Sequence, residues 1–183
     1  MQIRFFRRRA LLAGALLASL TQGHAAWAQQ GAQAQPQARS QAPGHAASPI
    51  YGVTIPPGYR KWEMIAPAEE AAPLDELRVV LGNPVAIKAI ENATLPYPDG
   101  TILVKLAYKR KQSDDFATAT VPGQPTTVQV MVKDSRRYAS TGGWGYGRFV
   151  NGVPADLAQH QTCFACHASK VKDRDYVFTR FAP

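Results

Sequence analysis

Cys163-Phe164-Ala165-Cys166-His167 holds both cysteines of the chain and one of its four histidines in a C-x-x-C-H spacing. Two thiols at that separation can add to the two vinyl groups of one porphyrin, and the histidine after the second can take an axial position on the iron. Cys163 and Cys166 are therefore candidate thioether links to one covalent haem c per chain, and His167 is its candidate proximal ligand. The same pair also fits a redox dithiol, half of a zinc site or two buried thiols. Zinc would need two further donors, and there is no second cysteine pair. A thioredoxin-like pair would open a helix early in a βαβ unit, whereas this one lies close to the carboxyl end.

From Ile50 to Pro183 the composition is globular and the length suits one domain. Apolar residues alternate there more often than they recur at helical spacing, which predicts a mainly β (α+β) fold built on an antiparallel sheet. The expected strands are Lys61 to Ala66, Leu77 to Leu81, Thr101 to Lys109, Thr126 to Lys133 and Gly143 to Val150. Asn83 before Pro84 is a cap followed by a first-turn proline and predicts a helix to about Asn92. Pro154 is expected to open a second helix that runs into the haem motif, and Tyr97-Pro98-Asp99-Gly100 reads as a turn.

Polar residues interrupt these strands in a regular way. Lys105 shares a face with Leu103 and Ala107, Gln129 shares one with Met131, and Arg78 stands inside Leu77 to Leu81. One reading is a face that meets solvent. The other is a haem pocket in which Arg78, Lys105 and Gln129 point at a ligand on the iron, with Leu103, Ala107 and Met131 as its apolar wall. An electron carrier fills the sixth iron position with Met or His. His160 precedes Cys163 by three residues and is tied to the proximal side, which leaves Met64 and Met131 as thioether candidates. With so few donors the expectation is an open sixth site that binds or transforms a small ligand. Tyr176 or Phe178, in the last segment, could cover the proximal side, or could simply pack in the core.

The amino terminus carries Arg4, Arg7, Arg8 and Arg9, then the apolar run Ala10 to Leu20, then Ala26-Trp27-Ala28. This reads as an export signal, residues 1–28, cleaved near Ala28, with a run too short to span a bilayer. Arg8-Arg9 also fits a twin-arginine signal, and an uncleaved anchor is the alternative to cleavage. Residues 29–49, rich in Gln, Ala and Pro, read as a disordered tether, ahead of a haem domain over 50–183. The expected location is the periplasm, with no membrane span in the mature chain. Four arginines and no acidic residue leave with the signal, so the formal charge of +8 falls by four to +4. That is too little for a nucleic-acid footprint. The basic runs Lys109 to Lys111 and Arg136-Arg137 read as solvated turns, or as docking points for an acidic electron-transfer partner.

Several separated runs also occur in one order: Tyr59-Arg60-Lys61-Trp62, Leu77-Arg78 before Gly82-Asn83, Pro98-Asp99-Gly100-Thr101 leading to Val104-Lys105, and Val132-Lys133-Asp134-Ser135. Gly142-Gly143-Trp144, Cys163 to His167 and Asp175-Tyr176-Val177-Phe178-Thr179 complete the series. Together they resemble the cytochrome P-460 family over nearly all of Ile50 to Phe181. The resemblance implies an antiparallel β fold, a homodimer and a pentacoordinate c-type haem on His167. In the family's hydroxylamine-oxidising enzymes a lysine after the Pro-Asp-Gly-like turn is crosslinked to the haem, and Lys105 stands at that position, with Arg78 matching a pocket arginine. The proton-relaying carboxylate of those enzymes is replaced here by Gln129, which cannot accept a proton near neutral pH. A related branch, cytochrome c′-beta, lacks the crosslink and binds nitric oxide. The resemblance thus implies hydroxylamine oxidation with a small periplasmic electron acceptor, with a nitric oxide binder or a plain electron-transfer cytochrome c as alternatives.

Overall fold

The computed structural model describes residues 46–183. Six strands form one antiparallel sheet in chain order: β1 (Glu63–Glu70), β2 (Glu76–Gly82), β3 (Ile102–Gln112), β4 (Thr120–Lys133), β5 (Trp144–Val150) and β6 (Val153–Pro154). Helix α1 (Pro84–Glu91) follows β2, and α2 (Leu157–Val171) follows β6. The mainly β expectation holds. The export signal and most of the tether lie outside the described residues. Among the described residues no helix is long and apolar enough to cross a membrane.

The strands differ in extent from expectation for local reasons. Tyr59–Lys61 form a 3-10 turn, so β1 begins only at Glu63, and it tolerates Pro67 because it is an edge strand. Strand β4 starts at Thr120, six residues early, and the β3–β4 pairing is irregular around Tyr108, opposite Pro125. A proline donates no ladder hydrogen bond, so Pro122 and Pro125 mask this stretch as strand. Pro154 does not open α2. It lies in β6 opposite Phe149, and Asp156 caps the helix by accepting from the Gln159 amide at 2.8 Å.

Helix α1 begins where the Asn-Pro pair predicts. Asn83 Oδ1 accepts from Ala86 N at 3.0 Å and from Ile102 N at 3.1 Å, while Nδ2 donates to Gly100 O at 2.8 Å. One side chain thus joins the helix start to the turn that launches β3. Ala86 and Ile87 then pack on the end of β2, where a Cβ on Gly82 would lie 3.0 Å from that of Ala86. One face of the sheet buries Val104, Leu106, Val130 and Phe149. The opposite face turns toward α2, and the cavity lies there.

Candidate functional site

Cross-strand register builds the cavity wall. Val80 pairs with Lys105, Lys105 with Gln129, and Gln129 with Arg148, so four strands place these side chains in one row. Leu103, Met131 and Tyr146 form the next row on the same face. Helix α2 and residues 177–180 lie over both rows and enclose about 720 Å³. Arg78, Lys105 and Gln129 all line this space, as do Cys163, Cys166 and His167. The face predicted to meet either solvent or a pocket is a cavity wall. Ala107, expected in the apolar wall, is buried but does not line it.

Each polar group has a distinct state. Arg78 donates to Glu76 Oε2 from Nε at 3.0 Å and Nη2 at 2.8 Å, and to Glu70 Oε2 from Nη1 at 2.6 Å. It is an anchored cation. Burial opposes the charge on Glu76, but hydrogen bonds from Thr126 and Arg78 outweigh it and hold the carboxyl below its usual range. Lys105 feels the opposite balance. Burial, then the nearby Arg78 and Arg148 guanidinium groups, push its amine down from 10.5 to about 8, against weaker support from Glu76 and Glu70. Gln129 bonds Thr127 Oγ1 at 3.2 Å and keeps its remaining amide capacity for the cavity.

Helix α2 carries the motif, and both thiols are free on its cavity side. His167 Nδ1 donates to the Tyr176 carbonyl at 2.7 Å, which leaves Nε2 as the imidazole's free lone pair. Burial pushes the imidazole pKa down, with the Tyr176 bond opposing. Tyr146 and Phe178 pack on its ring, with centroids 5.0 Å and 4.9 Å away. His160 is different. It is fully buried, donating from Nδ1 to Asp156 O at 2.8 Å and accepting at Nε2 from Arg148 N at 3.1 Å, so neither nitrogen is free for a metal. Met64 is half exposed on β1 and does not line the cavity, whereas Met131 does. Among the described residues no three His, Cys, Asp or Glu side chains gather as a metal site, so the cysteine pair lacks the further donors zinc requires.

The donor set fits a haem. The cavity volume lies in the range of cofactor sites. Two of its lining side chains carry buried polar atoms with no partner among the described residues, Tyr146 Oη and Arg148 Nε. Such atoms are costly unless something polar meets them, and a bound group with carboxylate arms would. Sequence reasoning missed both residues. Their signal was the alternation Trp144, Tyr146, Arg148 on β5, the same pattern that singled out Lys105 on β3.

Comparison with curated proteins finds no significant match. Residues 56–179 match the family model described as Cytochrome P460, a span that contains the whole haem-attachment motif, and this chain is a haem protein of the cytochrome P460 family.

Proposed function

We propose that this protein oxidises hydroxylamine or handles nitric oxide at a c-type haem whose sixth position is open, outside the cytoplasm. Cys163 and Cys166 would carry the thioether links and His167 Nε2 the iron. Bound there, the haem supplies the ligand-binding metal and the one-electron acceptor for nitrogen chemistry. Export with cleavage near Ala28, a small periplasmic electron acceptor and a homodimer belong to the same reading.

The observation that carries the enzymatic form is Lys105. Its amine stands on the cavity wall with its pKa near 8, so at pH 7 roughly a tenth of it is the neutral nucleophile that bonding to a porphyrin edge requires, with a two-electron oxidant such as peroxide taking up the hydrogens that the amine and the porphyrin carbon lose. Around it, Gln129 offers amide hydrogen bonds to a small polar substrate. Arg78, held by two carboxylates, supplies fixed positive charge more than a free donor. The nitric oxide reading also has an observation in its favour. No carboxylate stands at position 129, and Val80, Leu103 and Met131 make part of the wall apolar, which suits a diatomic ligand that needs no proton transfer.

The ferrous and ferric absorption spectra of the holoprotein together separate these readings, the methionine charge-transfer band being a ferric feature. A Soret band displaced far to the red, with the Lys105 peptide attached to the haem peptide after digestion, supports the enzyme. Ordinary high-spin c-type bands with a free Lys105 favour the nitric oxide binder. Low-spin spectra with a methionine charge-transfer band that vanishes in Met131→Leu would sink both and leave electron transfer.

A further inference from the structure

Three of the sequence runs come from distant parts of the chain: Val132 to Ser135, Gly142 to Trp144, and Asp175 to Thr179. They meet in space. At the end of β4, Lys133 Nζ lies 2.8 Å from both Asp175 carboxylate oxygens and 2.9 Å from Gly142 O. Both side chains are buried, at 5% and 9% exposure, so this is an interior ion pair. Asp175 Oδ2 also accepts from Tyr97 N at 2.9 Å, and the Lys133 ammonium lies 5.1 Å from the Trp144 ring centroid.

What the pair holds is an unfavourable bend. Asp175 and Tyr176 both adopt left-handed backbone, with φ of 48° and 66°, although neither is glycine. Side chains disfavour that conformation, so surrounding contacts must impose it. The ion pair fixes the bend from one side. From the other, the Tyr176 ring closes on Gly142, where an added Cβ would lie 2.1 Å from Cε2. The product of the bend is the Tyr176 carbonyl, aimed at His167 Nδ1 at 2.7 Å.

We infer that the Lys133–Asp175 ion pair is the positioning device for the proximal ligand, holding the Tyr176 carbonyl against His167 and thereby setting the basicity of its Nε2. This rests on the reading of His167 as the iron ligand. A hydrogen bond from Nδ1–H raises the electron density of the imidazole, and outer-shell partners of metal-bound histidines commonly contribute tenfold or more. A more basic ligand favours ferric over ferrous iron. Weakening the bond does the reverse.

The test measures the ferrous iron–histidine stretch by resonance Raman spectroscopy, together with the midpoint potential, on holoprotein variants. Asp175→Asn removes the carboxylate charge of the pair, the double variant Lys133→Met/Asp175→Asn leaves no buried charge unpaired, and Gly142→Ala displaces the Tyr176 ring while keeping both charged side chains. Each is expected to lower the stretching frequency and to raise the ferrous-to-ferric ratio at fixed potential on the order of tenfold, or ~59 mV for one electron. Haem-loaded variants that keep the parent frequency and potential would overturn the inference while leaving His167 as ligand. A double variant that fails to fold would assign the pair to stability alone and overturn it as well. A parent protein with no iron–histidine stretch would overturn both this inference and the ligand reading beneath it.

Discussion

At the scale of single residues the cavity is governed by a lysine that is only partly charged. With a pKa of about 8, the Lys105 amine is roughly a tenth neutral at pH 7 and half neutral at pH 8. Deprotonation makes it nucleophilic, so alkali favours bond formation. The rate of crosslinking in freshly assembled holoprotein given peroxide, the two-electron oxidant that leaves as water with the hydrogens lost from the amine and the porphyrin carbon, followed by the red shift of the ferrous Soret band, should rise about fivefold from pH 7 to 8 and less than twofold beyond. A rate flat across that range would show that the amine's proton does not limit the step. Gln129 sets a second expectation. It pairs directly with Lys105 on one side and Arg148 on the other. A carboxylate introduced by Gln129→Glu would be held ionised by Arg148 and could accept a proton the amide cannot. Hydroxylamine turnover should therefore rise on the order of tenfold or more; an unchanged steady-state rate would place the proton path elsewhere in the cavity.

At the scale of elements, the site depends on how α2 is joined to β5. His160 is the rivet: buried completely, it spans from the Asp156 carbonyl at the helix cap to the Arg148 amide on the strand. Replacing it by leucine removes both bonds and orphans a buried N–H, at a cost of roughly 2–4 kcal/mol. Denaturant unfolding of His160→Leu holoprotein should show that loss while its absorption bands stay those of the parent. Altered iron coordination in the variant would contradict the purely structural role. Much of this level was legible in the sequence. Asn83-Pro84 marks α1 because cap and proline act locally, and Lys105, Gln129 and Arg78 share a cavity because strand alternation is also local. What stayed hidden depends on distant partners. Nothing beside Arg148 in the chain announces that it faces Gln129, and the Glu70 and Glu76 that anchor Arg78 are set in place by the β1–β2 pairing. Pro154 misled because a proline suits a helix start and a short edge strand equally well.

At the scale of the whole molecule, the two sides of the sheet differ in what completes them. The face carrying Val104, Val130 and Phe149 is filled by protein side chains. On the other face α2 buries only His160 and Val171, and a cavity of about 720 Å³ separates its thiol-bearing side from the sheet wall. A helix with so little buried apolar surface gains little stability from packing, and in isolation a helix of this length is marginal in water. The haem is then expected to act as the missing core of that half, as a ligand that binds only the folded chain. Removing both attachment points in Cys163→Ala/Cys166→Ala, and so producing the chain without covalent haem, should split the cooperativity. Hydrogen exchange should find the amides of β2, β3 and β4 still protected, because their ladders and the face carrying Val104, Val130 and Phe149 remain whole. Amides of α2 and of residues 172–183 should exchange at least a hundredfold faster than in the holoprotein, about 2.7 kcal/mol of lost protection. Uniform loss of protection through sheet and helix alike would mean that the haem completes one indivisible core; unchanged protection of α2 would mean that His160 and the Lys133–Asp175 pair hold the helix without it.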